Sequence, residues 1–234
     1  MAKIEKKITL ITGGGEGLGK EIARVLAENS SNKVIILSNN KESLMKASGE
    51  ISVDPFFCDV TDPEQIEKVV SEIVAKHGKI DCLVNNAGVG MYGPLEDYAY
   101  EKIKKVIEVN TLGVIYFSKA VVPVMRKAKK GGILNIISTA ALKPEPQNTI
   151  YDASKWAIRG FTESLRQELA GNNISVMGLY PATIKDTGIF RKAGWKKDMT
   201  HAMDPKDLAE IVSVMLSSDT ISFNQVVLRH VNHD

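Results

Sequence analysis

Lys7-Ile8-Thr9-Leu10-Ile11-Thr12, followed at once by Gly13-Gly14-Gly15-Glu16-Gly17-Leu18-Gly19, is the stretch on which the fold turns. Its first six residues are largely apolar and β-branched and read as a buried strand. After the glycines, Leu18, Ile22, Val25 and Leu26 recur at helical spacing, so strand, tight turn and helix follow one another without a linker. Glycines let the chain turn sharply and let backbone approach a bound group. The helix start then offers free N–H groups and a positive dipole end, a setting suited to a pyrophosphate. The literal pattern G-x-G-x-x-G occurs later, at Gly88-Val89-Gly90-Met91-Tyr92-Gly93, where Pro94 and a loop follow rather than a helix. The first loop is therefore expected to hold dinucleotide phosphates, and the second to be a mobile loop on the substrate side.

Outward from this unit, strand-like runs are expected at 33–38, 54–58, 80–85, 132–138, 174–180 and 225–229. Asp62-Pro63, a capping Asp before Pro at the first turn, opens a helix that buries Ile66, Val69, Val70 and Ile73. Longer helices are expected over about 98–125 and 151–170. Strand–helix alternation with apolar strands predicts an α/β fold. The expectation is one doubly wound Rossmann-type domain over 1–234, with a seven-stranded parallel sheet flanked by helices on both faces. Ligands of such a sheet sit beyond the C-terminal ends of its strands.

Composition narrows the partners. A net charge of +2 leaves no dense basic footprint for nucleic acid, and the clusters Lys127, Lys129, Lys130 and Lys196, Lys197 read as solvated ends and loops. The run of apolar residues needed to span a membrane is absent. The N-terminus passes directly into the first strand, so no signal peptide is expected. Cys58 and Cys82 lie in strand-like runs and read as buried free thiols of a reducing, cytoplasmic compartment. His77, His201, His230 and His233 show no metal-ligand spacing, the last two falling in a tail expected to be mobile.

A Tyr-x-x-x-Lys pair on a helix sets both side chains on one face. At ~5 Å and an effective dielectric near 20, a lysine charge favours the phenolate by roughly 3 kcal/mol, about 2 pKa units. A tyrosine would thereby fall from ~10 to about 8, useful for proton transfer. The spacing occurs at Tyr98–Lys102, Tyr100–Lys104 and Tyr151–Lys155. The first two are expected on the exposed front of a charged helix. Only the third follows a strand and loop bearing a serine, Ser138, able to polarise a carbonyl oxygen.

With these residues in place the chain resembles the short-chain dehydrogenase/reductase family over nearly its whole length. Thr12, Gly13, Gly17 and Gly19 match its TGxxxGxG loop, and Gly15, Glu16 and Leu18 are among the intervening residues. Asp59, followed by Val60, matches the acid that holds the adenine amino group. Asn86, Ala87 and Gly88 belong to an NNAG segment, and Tyr151-Asp152-Ala153-Ser154-Lys155 is the YxASK core, thirteen residues after Ser138. The resemblance implies NAD(P)-dependent, reversible hydride transfer between nicotinamide and a carbonyl or secondary alcohol. In it, Tyr151 is the general acid and base, Lys155 lowers its pKa and binds the ribose, and Ser138 orients the substrate oxygen. Asn110 matches the asparagine that holds a proton-relaying water.

The chain also departs from the pattern. After the sixth strand it reads Pro181-Ala182-Thr183-Ile184-Lys185-Asp186-Thr187, with Ala for the usual Gly and the Thr one place late. The Ile184 backbone and Thr187 are the expected carboxamide contacts, Pro181 is a further expected cofactor-binding residue, and a substrate lid is expected at about 182–203. Ile189, Phe190, Trp195, Met91, Tyr92, Ala140 and Leu142 are candidate pocket walls. Asn39 stands where an acid selects NAD or an arginine NADP. Asn39 suits a hydroxyl or a phosphate, Lys41 favours a 2′-phosphate and Glu16 opposes one, which leaves NADP first and NAD open. The missing Gly-Gly ending of the acyl-carrier-protein reductases points to a small ketone, aldehyde or 3-hydroxy acid. The resemblance further implies a homodimer or homotetramer built on the two long helices. A non-catalytic NAD(P)-binding redox sensor or scaffold is the main rival, and an epimerase or dehydratase would need a longer substrate domain.

Overall fold

The computed structural model describes residues 6–218 and 220–232. Its strands are β1 (Lys7–Thr12), β2 (Asn32–Ser38), β3 (Asp54–Phe57), β4 (Cys82–Asn85), β5 (Gly131–Ile136), β6 (Ile174–Pro181) and β7 (Gln225–Leu228). They form one sheet in the order β3-β2-β1-β4-β5-β6-β7, with every adjacent pair parallel. The order reverses between β1 and β4, which opens a crevice at their C-terminal ends.

Alternation along each strand divides the core between two faces. Ile11, Ile36, Val84, Leu134 and Leu179 point to one face, where α1 (Gly17–Glu28), α2 (Lys41–Glu50) and α8 (Pro205–Ser217) cover them with Ile22, Leu44 and Val212. Leu10, Ile35, Leu83, Ile133 and Val176 point to the other, under α3 (Pro63–His77), α5 (Gly113–Ala128) and α6 (Thr149–Leu169). Asp62 caps α3 as expected, accepting from the amides of Glu64 and Gln65. Helices α2 and α8 lie outside the segments singled out from sequence. Helix α2 buries only Leu44 and Ala47, too few to mark a periodic face.

The helix expected over 98–125 is divided. Helix α4 (Tyr100–Ile107) passes through a π-helical turn, Glu108–Leu112, into α5. Tyr100 is exposed as expected, but Tyr98 precedes the helix and is half-buried. Its hydroxyl donates to the Gly93 carbonyl at 2.7 Å. The stretch Tyr100–Ala128 has the length and apolar composition to cross a membrane. In this fold Phe117, Val121 and Met125 bury its inner face in the core. Both cysteines are buried free thiols. His230 stacks beside His201 with ring centroids 5.3 Å apart; His233 and residues 1–5 lie outside the described residues.

Candidate active site

The cleft beyond the strand ends encloses about 460 Å³ and starts at the glycine loop. Gly13 and Gly17 have φ of 66° and 53°, conformations that favour glycine. A Cβ on Gly19 would lie 2.4 Å from the Gly13 carbonyl oxygen, so the turn closes only because residue 19 lacks one. Thr12 locks the loop to the end of β4: its hydroxyl accepts from the amides of Asn86 and Ala87, both at 3.0 Å. The Asn86 side chain donates to the Thr12 carbonyl at 2.9 Å, so its amide braces the loop. At the start of α1, Glu16 occupies the capping position yet makes no side-chain capping bond. The first amides of the helix thus keep free donors beside a backbone-lined cradle, which fits a dinucleotide pyrophosphate.

On the opposite wall, β5 delivers Ser138 and α6 delivers Tyr151 and Lys155. Ser138 accepts from the Ala140 amide at 3.1 Å and lines the same cleft as Tyr151 and Lys155. The Lys155 ammonium lies 5.6 Å from the centre of the Tyr151 ring and donates to the Ile136 carbonyl at 3.2 Å. Burial pushes the Tyr151 phenol up to about 12, with the Ser138 hydroxyl opposing and the Asp152 charge reinforcing the rise. Burial also brings the Lys155 ammonium down to about 8. The expected phenol near 8 is therefore not what the protein's own groups produce. Desolvation outweighs the lysine charge.

Asn110 sits in the π-helical turn and is buried. Its Oδ1 accepts from the Val89 amide at 2.8 Å, while Nδ2 donates to the Val89 carbonyl at 2.9 Å and to Ser154 Oγ at 3.1 Å. This clamp pins the Gly88–Gly93 segment at one end, and Tyr98 and the Gly93 amide bond to Gln147 pin the other. The loop expected to be mobile is thus tied at both ends. At the end of the cleft expected to take the adenine, the Asn39 amide donates to Asp59 at 2.8 Å, with Lys105 4.0 Å from the same oxygen. Burial works to raise the Asp59 carboxyl, but bonds from Asn39 and Thr61 and the Lys105 charge outweigh it and hold it below its ordinary range.

A profile of the short chain dehydrogenase family matches residues 7–218. The chain belongs to this family. It is accordingly an NAD(P)-dependent oxidoreductase. Among its relatives, a 3-oxoacyl-[acyl-carrier-protein] reductase of Thermotoga maritima is 34% identical, covering 94% of each chain. An uncharacterized oxidoreductase of Staphylococcus aureus is 30% identical over 99% of this chain and all of its own. An alcohol dehydrogenase of the archaeon Thermococcus sibiricus, solved with 5-hydroxy-NADP, is 26% identical with a TM-score of 0.88, covering 98% of this chain and 99% of its own.

For this short-chain dehydrogenase the sequence-derived residues distribute as follows. Gly13, Glu16, Gly17, Leu18, Asn39, Val60, Asn86, Ala87, Gly88, Ser138, Tyr151, Lys155, Pro181, Ile184 and Thr187 all line the cleft. Thr12, Gly15, Gly19 and Asn110 are buried and do not line it, and Asp59, partly exposed, is bonded to the lining Asn39. Among the candidate walls, Tyr92, Ala140, Ile189 and Phe190 face the cleft. Met91 is buried, Leu142 packs against a core cluster, and Trp195 stacks behind Tyr92 with centroids 6.0 Å apart. Four charged cleft residues were not expected at the site from the sequence: Lys105, Glu145, Lys192 and Lys197, the last read there only as part of a solvated loop. Lys192 pairs with Glu16, and Lys197 with Glu145 at 3.1 Å, so two ion pairs tie the segment expected to form a lid to the rest of the fold. Their partners lie 176 and 52 residues away in sequence, and no local pattern joins them.

Proposed function

We propose that this chain is a single-domain carbonyl reductase and alcohol dehydrogenase acting on a small ketone, aldehyde or 3-hydroxy acid, with NADP preferred over NAD. The observation that carries the reading is that Ser138, Tyr151 and Lys155 meet on one cleft wall, with the buried Lys155 ammonium 5.6 Å from the centre of the Tyr151 ring. A bound reduced nicotinamide supplies the hydride. The Ser138 hydroxyl and the Tyr151 phenol hold the carbonyl oxygen, and Tyr151 gives that oxygen its proton in reduction and takes it back in oxidation. A phenol held up at about 12 is protonated at neutral pH, the form that reduction requires. The Lys155 charge stabilises the phenolate left behind. Asn110 and Thr12 act on the backbone, fixing the segments that carry Gly88 and the glycine loop.

Lys105 stands beside Asp59, which is bonded to Asn39 at the 2′-selecting position, so it adds a cation that favours a 2′-phosphate there, and the archaeal relative was solved with an NADP derivative. The bacterial 3-oxoacyl reductase supports the 3-oxo or 3-hydroxy class. The assignment extends to a lid over about 182–203, a homodimer or homotetramer packed through α5 and α6, and a cytoplasmic location suited to two free thiols.

The test is a panel of ketones, aldehydes and 3-oxo esters assayed with NADPH and NADH by loss of reduced-nicotinamide absorbance. Tyr151→Phe is expected to abolish turnover and leave cofactor binding nearly intact. Unchanged turnover would sink the assignment. Tight cofactor binding without turnover of any substrate would favour a sensor.

A further inference from the structure

We propose that Lys192, on the lid, is a ligand for the pyrophosphate of the bound dinucleotide, and that Glu16 holds its place in the free chain. This rests on the cofactor reading above and adds a residue to it. Three observations meet at one spot. Glu16 stands at the head of α1, where the orphan amides face the phosphate position, and it spends its carboxylate on Lys192 instead of capping the helix. Both side chains line the cleft. The lid also touches the loop at a second point: a Cβ on Gly17 would lie 3.0 Å from the Thr187 carbonyl oxygen. The lid therefore rests on the phosphate cradle through its backbone, and Lys192 comes with it.

The charges give the arrangement a direction. A carboxylate beside a pyrophosphate site opposes the anion, and a lysine there favours it. With side chains 55% and 46% exposed, the Lys192–Glu16 pair is the kind of surface ion pair that contributes little. Exchanging Glu16 for a doubly charged pyrophosphate is then favourable for Lys192. The same exchange draws the lid toward the cofactor, because the short helix carrying Lys192, α7 (Ile189–Lys192), also carries Phe190 against Tyr92, with centroids 5.1 Å apart.

Glu16 separates this role from a simple latch. If Lys192 binds phosphate, Glu16 is a competitor, and removing its charge strengthens cofactor binding. If the pair only holds the lid shut, removing either partner weakens binding. The experiment measures dissociation constants of NADPH and NADH by the fluorescence of the reduced nicotinamide for the wild-type chain, Lys192→Met, Lys192→Gln and Glu16→Gln. Both lysine variants should bind each cofactor about tenfold more weakly, and Glu16→Gln should bind each severalfold more tightly. Binding weakened by Glu16→Gln, or unaltered in both lysine variants, overturns the proposal. So does a loss confined to NADPH, which would move the contact to the 2′-phosphate. A wild-type chain that binds neither cofactor would instead overturn the dinucleotide reading, and this proposal with it.

Discussion

Replacing Lys155 with methionine should stabilise the free protein while disabling it. Lys155 is 6% exposed, and among the described residues its ammonium has one hydrogen-bond acceptor, the Ile136 carbonyl, and no carboxylate partner. Its pKa falls from 10.5 to about 8 through burial. That gap corresponds to a cost on the order of 3 kcal/mol for keeping the group charged in the folded state. Methionine fills a similar volume without the charge but leaves the Ile136 carbonyl unpaired, a loss of about 1 kcal/mol. A net gain of about 2 kcal/mol would raise Tm by about 4–8 °C in a chain of this size. Because the folded-state pKa is depressed, the wild-type chain gains stability as pH rises from about 8 toward 10.5. The methionine variant lacks that gain, so its advantage is full at pH 6–7 and gone above about 10.5. The assay is thermal unfolding of both chains at pH 6, 8 and 10, with cofactor affinity measured alongside. A variant melting at or below the wild type at pH 6, or a pH-independent difference, would refute the reasoning.

Three further outcomes follow from the geometry. Asn110→Ala removes three hydrogen bonds from a buried site, which should cost about 2–4 kcal/mol and sharply accelerate hydrogen exchange at the Val89 amide, whose partner is Asn110 Oδ1. An amide still protected in the variant would show that the clamp does not hold the loop. Gly17→Ala forces φ of 53° on a residue with a Cβ and presses it on Thr187. A Tm lower by about 2–8 °C is expected from a cost of about 1–2 kcal/mol, together with weaker cofactor binding in direct titration. The Cys58 thiol is pushed up to about 12, first by burial and then by Asp59 and Asp62. Iodoacetamide at pH 8 should leave it unmodified in the native protein and alkylate it once unfolded, as peptide mass analysis would report.

The strands were the most legible part, because buried parallel strands are short, apolar and bounded by polar turns. Strand β1 and the glycine loop fell where the sequence placed them, and the ends of the other strands moved by one or two residues. The π-helical turn was hidden because it depends on Asn110 reaching Val89, a contact 21 residues away. An asparagine inside an apolar helical run was its only local trace. Helix α8 could have been found: Asp204-Pro205 repeats the cap-and-proline signature of Asp62-Pro63, and Asp204 accepts from the Lys206 amide. The shift of Tyr151 was misjudged because spacing reports the neighbouring charge and says nothing of how far the helix start is buried. Asp152 shows the same gap. A YxASK pattern leaves its second position open, yet this carboxylate is buried, accepts from the Glu145 amide at 3.0 Å and is raised by desolvation.

The sheet order also sets the sequence of events in folding. Strand β1 pairs with β2 early in the chain, but its other edge waits for Cys82, Leu83 and Val84. During synthesis, Leu10 and Ile11, both fully buried at the end, sit on an open hydrophobic edge until β4 emerges. Parallel pairing across so long a crossover is slow to form, and open edges recruit other chains. The Thr12 bonds to Asn86 and Ala87 close that seam, so the crevice for the dinucleotide comes into being only when the riskiest stage of assembly ends.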